Sequence, residues 1–163
     1  MHRFRPVPYY VFAVFIALLP SLALAQKKAP GTAPATPPSE DISGMYSFLK
    51  EGEFVQITVE DGRLSGFISR YGDSESDQGA FLNQFFDKTS LNGRNMSFTT
   101  KPVHGKWYEF KGTVQRGAVA SKDKDGYWVL KGTLKENSED ENKKVSSRSG
   151  EVEFKSFPAN VEQ

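Results

Sequence analysis

The stretch "EFVQITVEDGRLSGFISR" (53–70) decides the fold. Two runs of alternating apolar and polar residues flank Asp61-Gly62, a pair suited to a two-residue type I′ hairpin turn. That turn sets the register by itself. Glu60 faces Arg63, Val59 faces Leu64, Ile57 faces Gly66 and Val55 faces Ile68. The apolar pairs all fall on one face, and Thr58–Ser65 and Glu60–Arg63 fall on the other. Turn chemistry and side-chain period agree, as they must when one face of a hairpin is buried.

Strand signals continue outward from this hairpin. Upstream, "SGMYSFLK" (43–50) reads as a strand, joined by a turn at 51–53. Downstream, Asn92-Gly93 marks a turn, and Met96, Phe98 and Thr100 alternate after it. "VHG" (103–105) fits a three-residue loop with Gly105 in the left-handed region, which places Phe98 opposite Phe110 and Thr100 opposite Tyr108. "YEFKGTV" (108–114) and "WVLKGTL" (128–134) are echoes of each other, each with an inward glycine. Inward Gly66, Gly112 and Gly132 suit a tightly curved sheet. A two-residue turn at Asp125-Gly126 would put the two echoes out of phase, so "SKDKDGY" predicts a longer loop or a bulge. "KENSEDENKK" (135–144) reads as a charged loop, and a last strand runs through Val152 and Phe154. The sum is an all-β domain: an antiparallel up-and-down β-barrel of seven or eight strands. A two-sheet β-sandwich is the alternative.

One segment departs from the strand pattern. In "YGDSESDQGAFLNQFF" (71–86), Phe81, Leu82, Phe85 and Phe86 recur at i, i+1, i+4 and i+5, one face of a short helix. Ser76 or Asp77 would cap it, with the acidic residues near its positive end. Asp73, Glu75 and Asp77 also make a weak calcium candidate, since hard cations take carboxylate oxygens. The match to an EF-hand loop fails, because Gln78 and Gln84 stand where glycine and glutamate are required.

The termini carry different signals. Arg3 and Arg5 precede the apolar run "VFAVFIALL" (11–19), and "ALA" (23–25) ends a secretory signal peptide, residues 1–25. Val11 to Ala25 is 15 residues, against about 20 for a membrane span. Residues 26–40, with Pro30, Pro34, Pro37 and Pro38, read as a Pro/Ala-rich flexible tether. The barrel domain spans 41–158, and 159–163 read as a disordered tail. Export places the protein in a periplasm or outside the cell, with no integral membrane span after cleavage.

Removing Arg3 and Arg5 from 21 basic residues leaves 19 against 20 acidic ones. Such a balance gives no electrostatic reason to expect nucleic acid as a partner. The chain has no cysteine, which excludes disulfides, thiol catalysis and cysteine-held metals. Past the signal its only histidine is His104, so no multi-histidine metal site forms within one chain. No nucleophile elbow, phosphate-binding loop or other catalytic constellation is present, and no cofactor is expected. The protein reads as a non-enzyme.

Gly44-x-Tyr46 on the first strand, followed by the meander, resembles the avidin and lipocalin (calycin) barrels, which commonly carry Gly-x-Trp there. That resemblance implies a ligand-holding barrel architecture. Tyr46, Tyr108 and Trp128 are the candidate interior contacts. If strands simply alternate up and down, the 51–53, 71–80, 103–105 and 136–143 connections share one end. Arg70, Asp73, Asp77 and His104 then form a candidate rim. The functional expectation is a binding module for a small apolar or amphipathic ligand. The alternative is a solid-core envelope or secreted domain that engages a protein partner, for which outward Phe67 and Trp107 are the places to look.

Overall fold

The computed structural model describes residues 40–159. The segments expected to be a signal peptide and, but for its last residue, a tether lie outside them, as do residues 160–163. Eight antiparallel strands form one curled sheet in strict sequence order, a half-barrel. They are β1 (Gly44–Ser47), β2 (Phe54–Glu60), β3 (Arg63–Tyr71), β4 (Phe81–Asn92), β5 (Asn95–Thr100), β6 (Lys106–Arg116), β7 (Trp128–Glu139) and β8 (Val145–Lys155).

The β2–β3 hairpin has the register that its turn demands, from Glu60↔Arg63 to Val55↔Ile68. Asp61 and Gly62 both have positive φ, 50° and 74°, as a type I′ turn needs. Phe98 stands opposite Phe110. The two echoes are antiparallel neighbours with Gly112 opposite Gly132. An eleven-residue connection, 117–127, brings their inner faces into phase.

Four expectations are corrected. Residues 81–86 are not a helix, and the described residues contain none. They begin β4, where Phe81 and Phe85 point outward while Leu82, Gln84 and Phe86 point inward. An i, i+1, i+4, i+5 pattern also describes a strand that is apolar on both faces, and pairing with β3 selects that solution. The charged segment 135–144 is mostly strand: β7 runs to Glu139 because Lys106–Tyr108 and Ser146–Arg148 pair with it on its two sides. The 103–105 loop is a two-residue turn, with His104 and Gly105 both at positive φ (50° and 74°). The turn after β4 is Gly93-Arg94, since Asn92 still pairs with Asn95.

The sheet is a single one rather than a sandwich. A bulge at Phe86–Lys88 interrupts β4, whose first half pairs with β3 and whose second half pairs with β5. The outer strands meet only at the base. There Tyr46 bridges Ser156, Phe157 N–H donates to Met45 O at 2.8 Å, and Lys155 N–H donates to Ser47 Oγ at 3.0 Å. Above this seam β1 has ended, and β8 continues paired with β7 only.

Aromatic rings fill the curl. Phe86 stacks on Phe98 at 4.1 Å between centroids and Phe98 on Phe110 at 5.3 Å. Phe110 meets Phe154 at 6.0 Å, Phe154 meets Phe48 at 5.2 Å, and Phe48 packs edge-on against Tyr108 at 5.3 Å. The inward glycines make room for these rings. A β-carbon on Gly66 would lie 2.8 Å from the Phe86 ring, and one on Gly112 would lie 2.7 Å from the Phe110 ring.

Candidate functional site at the polar mouth

The strand ends distribute charge unevenly. Inward positions at one mouth are polar: Arg70 and Gln84 continue the inner faces of β3 and β4, and Lys106 and Glu136 continue those of β6 and β7. Arg70 is buried, so its guanidinium must be fully engaged to be tolerated. Its Nε donates to Gln84 Oε1 at 2.7 Å, and its Nη1 donates to Tyr71 O and Asp73 Oδ1, both at 2.9 Å. Gln84, also buried, donates from Nε2 to Lys106 O at 2.7 Å and Lys101 O at 3.3 Å. No buried side-chain polar atom among the described residues lacks a partner.

From Arg70 the charges alternate across the mouth. Asp73 is shared between Arg70 and Lys106. Lys106 Nζ then lies 3.2 Å from Glu136 Oε1, and Glu136 Oε2 accepts from Arg148 Nη2 at 3.0 Å. Burial acts to raise the Asp73 carboxyl, but the Lys106 hydrogen bond and the Arg70 charge outweigh it and hold the group below its ordinary range. Glu136 is lowered in the same way: burial opposes, and the bonds from Arg148 and Lys106 prevail.

A second pair sits beside this chain. Asp77 engages His104 Nδ1, tying the 72–80 loop to the β5–β6 turn. Ser74 Oγ donates to Asp77 at 2.7 Å, and that bond, with the one from His104, lowers the Asp77 carboxyl. The loop is compact because Gly72 has no side chain; a β-carbon there would stand 2.2 Å from that of Asp77.

Arg70, Asp73, Asp77 and His104 are thus all placed at one mouth, in two pairs. Glu75 is exposed on the loop, and Asp73 and Asp77 face different cations. Among the described residues no cluster of three or more acidic or histidine side chains is arranged to hold a metal ion. The three interior candidates are buried, and two of them donate to the backbone. Tyr46 Oη donates to Ile42 O at 2.6 Å, and Trp128 Nε1 donates to Asp41 O at 3.0 Å. Burial drives both the Tyr46 and the Tyr108 hydroxyls well above the ordinary tyrosine range. Arg116 lies over the Tyr127 ring at 3.3 Å and near Trp128 at 5.1 Å, covering the opposite end.

Sequence reasoning missed Lys106, Gln84, Glu136 and Arg148. Lys106 and Glu136 were detectable: each continues the inward parity of its strand, two residues from Tyr108 and Leu134. Gln84 was hidden by the helical reading of β4, and Arg148 by the lack of a turn signal fixing β8.

The outer wall carries aromatic rings on β2–β4. Phe54, Phe67 and Phe85 form a row with centroids 5.9 and 5.5 Å apart, and Tyr71 stacks on Phe81 at 4.5 Å. Phe81 and Phe85 are more than half exposed, at 51% and 57%. Trp107 is half-buried on β6.

No helix among the described residues is long and apolar enough to cross a membrane. Comparison of the chain with protein-family models, curated proteins and solved structures finds no match.

Proposed function

We propose that this protein is an exported, non-enzymatic interaction module that meets a partner with its outside and holds no small ligand within. One observation carries the reading. The space where a calycin-type barrel would hold a ligand is occupied by the Phe86–Phe98–Phe110–Phe154–Phe48 series of packed rings. The Tyr46 hydroxyl and the Trp128 N–H both donate to backbone carbonyls, which leaves neither donor for a ligand. The mouth favours the same reading. Its carboxylates Asp73 and Glu136 each lie between two cations, which hold them ionised rather than ready to exchange a proton with a substrate. Half-buried Phe54 and Phe67, with exposed Phe85 and Phe81, form the kind of aromatic surface that marks interaction sites.

The test is titration with N-phenyl-1-naphthylamine, an apolar fluorophore that brightens in hydrophobic cavities. A solid interior gives no saturable one-to-one enhancement. Saturable binding that Phe98→Trp abolishes would restore the small-ligand reading.

A further inference from the structure

We propose that the free edge of β8 is a docking site for an extended peptide, which adds as a ninth strand with an apolar side chain two residues from a carboxylate. This rests on the reading of the protein as an interaction module and names its mode of contact.

The edge follows from the seam. Ser156 N–H donates to Trp128 O on β7, whereas Lys155 N–H donates to Ser47 on β1. The β7–β8 register is unbroken from Val129↔Lys155 to Glu139↔Val145. Backbone groups alternate sides along an antiparallel strand, so the odd residues of β8 turn theirs away from β7. At Lys155 these groups meet β1. At Ser147, Ser149 and Glu151 β1 has ended, and no described strand pairs with them. Such a row of unpaired donors and acceptors is a template for an added strand.

The inner side of this edge specifies what can add. Beside Gly150 lies a hollow of about 140 Å³ lined by Leu49, Leu134 and Val152, with Glu136 and Arg148 at its rim. It has the size of one aliphatic side chain. Leu49, large and apolar, is 44% exposed there among the described residues. The strand position two residues along faces Arg148. This guanidinium ends the chain of alternating charges, engages Glu136 through one nitrogen, and is 82% exposed. An inward-pointing cation discourages indiscriminate edge pairing, and a carboxylate opposite it lifts that penalty. Charge complementarity therefore selects an acidic residue at that place.

The experiment pans the purified exported protein against a displayed library of nine-residue peptides. The expected selection is of alternating sequences with an aliphatic residue two positions from Asp or Glu. Two variants locate the contact. Ser149→Pro removes an edge N–H that β7 does not use and should abolish binding with an unchanged melting temperature. Arg148→Ser, at an exposed side chain, should weaken binding about tenfold and erase the acidic preference. Failure to select peptides, or selection of peptides indifferent to both variants, overturns the proposal. A concentration-dependent dimer in sedimentation, lost in Ser149→Pro, would assign the edge to a second copy instead and also overturn it. The naphthylamine titration reads only the interior, so it separates failure here from failure of the solid-core reading.

Discussion

A methyl group on Gly112 has nowhere to go. Its β-carbon would lie 2.2 Å from Lys131 O and 2.7 Å from the Phe110 ring, and the backbone oxygen cannot retreat without breaking the sheet. Gly112→Ala should therefore destabilise by about 1–3 kcal/mol in urea unfolding, despite alanine's better intrinsic propensity. Gln84 makes a different demand. It is the acceptor for the buried Arg70 Nε. Gln84→Ala leaves a charged donor without its partner and should cost about 2–4 kcal/mol, a cavity contribution included. The glycines were legible in the sequence because they occupy inward positions in repeated strands. The role of Gln84 was not, since a polar residue between inward Leu82 and Phe86 carries no sign of its partner.

At the scale of the element, β4 shows why hydrophobic period alone misled. Phe85 and Phe86 would share one face of a helix, but they lie on opposite faces of the strand. The distinction is measurable. Phe85→Asp, on the open wall, should change stability by under about 1 kcal/mol. Phe86→Asp, stacked 4.1 Å from Phe98, should abolish folding or cost more than about 4 kcal/mol. Comparable losses from both would contradict the strand. The β2–β3 hairpin was readable because two independent signals, turn chemistry and alternation, pointed to one register. The upper arms of β7 and β8 were not, because their residues are polar on both faces and only strand pairing makes them regular.

Over the whole molecule, the mouth network links charge to stability. Asp73 and Glu136 lie below their ordinary ranges when folded, and both titrate near about 4 when unfolded. Over the interval between those values the unfolded state binds more protons. The stabilisation is thus fully present above the unfolded values and is lost as pH falls through the folded ones. The melting temperature should hold from about pH 7 to 5 and drop below about 4. Lys106→Met, which deprives both carboxylates of a shared cation, should flatten that drop. The gathering of the rim residues at one end was foreseeable from strand alternation alone. Their pairing with Lys106 and Arg148 depended on side-chain reach, which alternation does not encode.

The claim that the interior is solid is tested most directly by making it hollow. Phe98→Ala should cost about 3–5 kcal/mol and leave a cavity between Phe86 and Phe110. A dry apolar cavity of that kind takes up benzene, and binding raises the melting temperature. The measurement is the melting temperature of wild type and Phe98→Ala with and without saturating benzene. A rise in the variant alone is the predicted result; an equal rise in the wild type would mean that the barrel was hollow from the start.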